Sequence, residues 1–96
     1  MAGIIKMSEI QERLRTLSGW EVQNNALQKT FTCADFVSAV EFLNKIVPIA
    51  EEMEHHPDVI IKDYNRVTFA LTTHDSGGVT ELDFALAKRI EELTAV

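Results

Sequence analysis

Twice along these 96 residues the apolar side chains change from helical recurrence to strict alternation and back, a rhythm that few small architectures accommodate. Behind a capping box of Ser8 and Gln11, Ile10, Leu14 and Leu17 recur at helical spacing until Gly19 offers a stop, so a first helix is expected over roughly residues 8 to 17. Trp20 and Val22 then alternate with polar residues. Asn24-Asn25 supplies a turn that tolerates positive φ, and Leu27, Phe31 and Cys33 continue on alternate positions, which reads as a β-hairpin. Asp35 is placed to cap a second helix with two apolar stripes, one of Phe36, Val40, Leu43, Val47 and Ala50, the other of Phe42, Ile46, Ile49 and Met53. One sheet needs one stripe, so this helix is expected to meet a second apolar neighbour, another subunit, through Phe42 and Ile46. Pro48 removes a backbone donor inside it and predicts a kink.

Pro57 excludes helix for His56, and Val59 to Ile61 followed by Val67, Phe69 and Leu71 reads as a second hairpin turning near Asp63 to Asn65, with His74 at its end. The loop Asp75-Ser76-Gly77-Gly78 follows, its glycines suited to positive φ rather than to cradling phosphate. Thr80 and Asp83 then form a capping box for a last helix carrying Leu82, Leu86, Ile90 and Leu93. The order is α-β-β-α-β-β-α. Hairpins separated by helices favour a four-stranded antiparallel sheet with the helices packed on one face, an α+β domain. No repeat or linker divides the chain, so residues 1–96 are read as a single domain with a loosely ordered N-terminus over residues 1–7. A chain of this length buries roughly 60 to 70% of its unfolded surface and needs no disulfide or structural metal to fold.

Nine Lys and Arg against 15 Asp and Glu give a formal net charge of −6, which repels phosphate backbones and anionic membranes and disfavours direct nucleic-acid binding. Cys33 is the sole cysteine, half of no internal disulfide, and it is expected to be an inert buried thiol on the apolar side of a strand. The N-terminal MAGIIKM lacks the apolar stretch of a signal peptide and no run approaches a membrane span, so a soluble cytoplasmic protein is expected.

Chemistry gathers in one constellation: Glu51, His55, His56, Pro57, Tyr64, His74 and Asp83, which includes every histidine of the chain. Imidazole titrates near neutrality, so concentrating all of it around two loops suits proton transfer. Glu51 and His55 lie four apart, one helical turn, which predicts a carboxylate beside an imidazole, orienting it; the same service to His74 is expected of Asp83. Adjacent His55 and His56 point in different directions, so they do not serve one atom alike. Three histidines and two acids are also adequate zinc ligands, but only the Glu51 and His55 pair has chelating spacing and no Cys pair joins it.

The stretch EEMEHHPD, continued by YNRVTFALTTHDSGGVTELDFALAKRIEEL, resembles the pterin-4a-carbinolamine dehydratase family closely. That family's signature is an acid shortly before His-His-Pro, then an aromatic, a further His and an Asp; Glu51, His55, His56, Pro57, Tyr64, His74 and Asp83 fill every position. The likeness runs outward through Gly19-Trp20 to the final helix. It implies dehydration of 4a-hydroxytetrahydrobiopterin to quinonoid dihydropterin in tetrahydrobiopterin recycling, with no metal or organic cofactor. It implies His55, His56 and His74 around the pocket, His55 and His74 as proton carriers and His56 as binder or partner, with Glu51 and Asp83 in support. Trp20 is a candidate for stacking on the pterin, beside its commoner role in a core. Pro57 and Tyr64 read as structural. Val59 stands where many relatives carry tryptophan, and Pro48 interrupts the helix that leads to Glu51. The resemblance further implies a homotetramer assembled as a dimer of dimers, and, as the rival to catalysis, a dimerisation role for a transcription-factor partner.

Overall fold

In the computed structural model, which describes residues 3–94, the alternating periods produce three helices and one four-stranded antiparallel sheet, in the order expected. The chain enters along an extended Lys6 into helix α1 (Met7–Arg13), followed by a 3₁₀ turn over Leu14–Thr16. Ser8 therefore lies inside the first turn and caps nothing, a correction to the capping box. The entry is fixed instead by Ile5, which is buried and donates its backbone N–H to Val79 O at 2.9 Å. Of the N-terminal stretch expected to be loose, Ile5 is thus anchored, and residues 1 and 2 lie outside the described residues.

Strands β1 (Glu21–Gln23) and β2 (Ala26–Thr32) turn through Asn24 and Asn25, both at positive φ (51° and 60°) as a tight hairpin requires. Strands β3 (Asp58–Lys62) and β4 (Arg66–Leu71) turn through Asp63 and Tyr64, again both at positive φ. The sheet order is β1-β2-β4-β3, so the two hairpins join through β2 and β4, with Leu27 opposite Leu71 and Phe31 opposite Val67. Alternation then sends Val67, Phe69 and Leu71 to one face, fully buried beneath the helices, while Arg66 and Thr68 point away from it. Phe69 stacks edge-on with Phe31 and Phe42, ring centroids 5.8 and 5.6 Å away, and burying such a ring contributes roughly 1.5–3 kcal/mol.

Helix α2 (Phe36–Met53) begins where Asp35 accepts a hydrogen bond from Ser38 N–H at 2.7 Å, a bond that holds the Asp35 carboxyl below its usual range. Its two stripes exchange the roles expected of them. Ile46 is buried and Phe42 packs on Phe31 and Phe69, so the line of Phe42, Ile46 and Ile49 faces this chain's own core; Phe36 and Val47, 55% and 49% exposed, lie on the outer line. Pro48 does not break the helix: it sits on the exposed side, where the carbonyl it leaves without a donor can reach water.

The helix stops without glycine. Glu54 adopts the left-handed conformation (φ 51°), donates its N–H to Glu51 O, and lets His55 N–H close back on Ala50 O, a Schellman turn. A side chain in that conformation costs roughly 1–2 kcal/mol, only part of which glycine's extra freedom returns. Glu54→Gly is expected to raise unfolding stability by about 1 kcal/mol in urea titrations; an unchanged or lower midpoint contradicts the capping account. Helix α3 (Glu81–Thr94) starts at the predicted Thr80 and Asp83 box, with Thr80 N–H donating to Asp83 Oδ2 and Leu82 N–H to Thr80 Oγ1. No helix among the described residues is long and apolar enough to cross a membrane.

Candidate active site

The Schellman turn decides where the paired histidines go. Because the chain leaves helical geometry at Glu54, the four-residue relation between Glu51 and His55 no longer places them on one face. His55 turns inward and its Nε2 meets Asp83 Oδ1 at 2.5 Å, beneath the start of α3. His56 turns outward, and its Nε2 bonds Glu51 Oε2 on the exposed side. The expected partnerships are thus corrected: Asp83 serves His55, Glu51 serves His56, and the ring of His74 makes no hydrogen bond among the described residues.

Asp83 has no exposed surface, and every one of its hydrogen bonds comes from a neighbour fixed by the fold. Its Oδ2 accepts from Thr80 N–H and from the Thr73 hydroxyl, each at 2.9 Å; its Oδ1 is left to His55. The capping residue and the imidazole partner are one side chain. A bidentate pair ties α1 to the same helix start, Arg13 Nη1 and Nη2 donating to Glu81 at 2.6 and 2.8 Å, and these bonds hold the Glu81 carboxyl below its usual range. The Arg13 guanidinium also lies 4.1 Å above the Phe84 ring.

His74 comes from the other side, on a tight loop after β4. Thr73 N–H donates to Gly78 O at 3.0 Å and Gly77 N–H to Thr73 O at 2.9 Å, closing the loop; of the two glycines only Gly77 takes positive φ (81°). The result is a cavity of about 240 Å³ bordered by His55, His56 and His74, with Glu54, Thr72, Thr73 and Asp75 completing the rim. All three predicted histidines meet in it, and two of them carry their own carboxylate. Among the described residues no group of three His, Cys, Asp or Glu side chains is placed to hold a metal ion. An open cavity with convergent polar groups and three imidazoles is suited to binding a flat polar molecule and moving protons on it.

Three other sequence candidates lie elsewhere. Trp20 is only 4% exposed, stacks edge-on with Phe31 and donates Nε1–H to Glu91 at 2.8 Å; it belongs to the core and does not border the cavity, a correction to its stacking role. Lys29 joins Trp20 on the Glu91 carboxylate. Tyr64 sits at the β3–β4 turn, the opposite end of that hairpin from His56 and His74. Pro57 lies just ahead of β3, and it borders an apolar groove with Val47 and Val59 that adjoins the cavity through His56. The sequence reading missed Thr73. Its signal was the alternation of β4, which places Thr73 on the same inward side as Leu71 and Phe69.

Residues 4–93 match the family model described as Pterin 4 alpha carbinolamine dehydratase. A protein of Sulfurisphaera tokodaii, provisionally named a pterin-4-alpha-carbinolamine dehydratase, is 55% identical over 88% of this chain and 90% of its own length. A protein of the same provisional name from Nostoc punctiforme is 46% identical over 97% of this chain and 99% of its own. The crystal structure of a transcriptional coactivator/pterin dehydratase from Brucella melitensis superposes with a TM-score of 0.89 at 35% identity, covering 95% of this chain and 98% of that one. A pterin dehydratase-like protein described as a RuBisCO assembly factor in the alpha-carboxysome aligns at TM-score 0.62 and 22% identity, a likeness of fold alone. With the match spanning both hairpins, all three helices and the histidine cavity between them, the chain belongs to the pterin 4 alpha carbinolamine dehydratase family.

Proposed function

We propose that the protein dehydrates 4a-hydroxytetrahydrobiopterin to quinonoid dihydropterin and water by histidine acid–base catalysis, in the cytoplasmic recycling of tetrahydrobiopterin. The observation that carries this reading is the convergence of His55, His56 and His74 on one cavity, with His55 braced by a buried carboxylate. In the reaction the C4a–oxygen bond breaks, the departing oxygen takes a proton, and the adjacent ring nitrogen loses its proton as its lone pair forms the new double bond. One acid and one base suffice, each contributing roughly 10²–10⁴ in rate. His55 and His74 are the proton carriers in this reading, and His56, tethered to Glu51 on the exposed rim, helps bind the substrate. The deciding experiment is turnover of the carbinolamine, corrected for its uncatalysed dehydration, before and after exhaustive chelation. Accelerated, chelator-insensitive turnover is expected; no acceleration, or activity lost with metal and restored by zinc, overturns the reading.

The protein acts as a homotetramer in this proposal, with the outer line of α2 as a contact surface. Phe36 and Val47, large apolar side chains left exposed on this helix, support it. Sedimentation at micromolar concentration is expected to show the assembly, and Val47→Glu to weaken it; a monomeric unmodified protein rejects it. That surface also favours a second reading, a binding module for a transcription factor, to which the coactivator description of the Brucella melitensis relative lends support. A folded protein without carbinolamine turnover shifts the balance to it.

A further inference from the structure

Among the described residues Asp83 is the only carboxylate with no exposed surface, and its hydrogen bonds admit a single arrangement of protons. A carboxylate only accepts. The Thr73 hydroxyl has one proton and gives it to Asp83 Oδ2 at 2.9 Å. In the 2.7 Å contact between the Thr73 and Thr80 hydroxyls, Thr80 is therefore the donor, and its oxygen accepts in turn from Leu82 N–H at 3.3 Å. With Thr80 N–H also on Oδ2, that oxygen is filled, and Oδ1 faces His55 alone. His55 Nε2 must then carry the hydrogen in their 2.5 Å contact. Its Nδ1 makes no hydrogen bond among the described residues, and none of their buried side-chain nitrogens or oxygens is left without a partner, so Nδ1 reaches solvent, on a residue that borders the cavity.

We infer that Thr73 is a positioning residue of the site: through Asp83 its hydroxyl locks the orientation of the His55 ring, keeps the hydrogen on Nε2, and leaves the Nδ1 lone pair as the base presented to the ligand. Thr73 is distinct from the helix cap in this respect. Without the Thr73 hydroxyl the capping bonds of α3 remain, Thr80 N–H on Asp83 Oδ2 and Leu82 N–H on Thr80 Oγ1, but the carboxylate is free to tilt toward the Thr80 hydroxyl, which loses its acceptor when Thr73 loses its own oxygen. The inference rests on the dehydratase reading for what the base acts upon, whereas the proton arrangement stands apart from it.

The test compares Thr73→Val, which removes the hydroxyl at nearly constant volume, with Thr73→Ser, which keeps it. In the wild type a downfield, exchange-protected proton resonance from His55 Nε2–H is expected by NMR, retained in Thr73→Ser and lost or moved upfield in Thr73→Val. Carbinolamine kcat is expected to fall roughly tenfold in Thr73→Val with KM little changed, and to recover in Thr73→Ser. If the valine variant does not fold, Thr73→Ala is read in the same way. A folded hydroxyl-free variant that keeps both the resonance and wild-type kcat overturns the inference, as does a wild type without the protected resonance. A wild type with the resonance and no turnover sinks the dehydratase reading and leaves the positioning role intact.

Discussion

Replacing His74 by alanine is expected to lower kcat for the carbinolamine by roughly 10²-fold or more while leaving thermal unfolding unmoved. His74 is exposed on the loop after β4, and its ring makes no hydrogen bond among the described residues, so its removal costs the fold none of those bonds. The proposed transfer of the second proton rests on the place of His74 on the same cavity rim as His55. Rates must be taken after subtracting the uncatalysed reaction. A His74→Ala protein of undiminished activity removes His74 from the mechanism. His55→Ala is expected to lose as much activity and some stability besides, because it leaves the buried Asp83 carboxylate without its third donor. The contrast between the two variants separates a residue that does only chemistry from one that also holds the site together.

The largest loss of stability is expected from Asp83→Ala. Alanine strips the acceptor from Thr80 N–H, the Thr73 hydroxyl and His55 Nε2 at once. Each buried donor left unpaired costs about 1–3 kcal/mol, and three are stripped at once, so a loss of roughly 3 kcal/mol or more is expected. Urea unfolding followed by circular dichroism measures it. Glu51→Ala is the control: the Glu51 and His56 pair is exposed, where such pairs contribute about 0–1 kcal/mol. Equal losses in the two variants contradict the distinction drawn between the inner and the outer histidine.

Much of the fold was legible because local chemistry and tertiary need agree in it. Asn24-Asn25 and Asp63-Tyr64 turn where the alternation pauses, Asp35 caps α2, and the Thr80 and Asp83 box opens α3. Where the reading failed, several local solutions were available and distant packing chose among them. Ser8 and Gln11 form a plausible box, yet the bond from Ile5 to Val79 starts the helix earlier. The stripes of α2 are equally apolar, and only the ring cluster of Phe31, Phe42 and Phe69 shows which one this chain buries. Trp20 is amphipathic in either role, and Glu91, 71 residues away, claims its indole N–H.

The α-β-β-α-β-β-α order can be read along the chain, because period, cap and turn are properties of neighbouring residues. The motif also named the three histidines that meet in one cavity. Which acid serves which histidine depends on packing between distant segments. The spacing of Glu51 and His55 holds on a helix alone, and one left-handed residue at Glu54 ends that helix a step too soon, sending His55 across to α3 and His56 back to Glu51. No pattern along the chain encodes that exchange, because it depends on where the start of a helix 28 residues further on is packed.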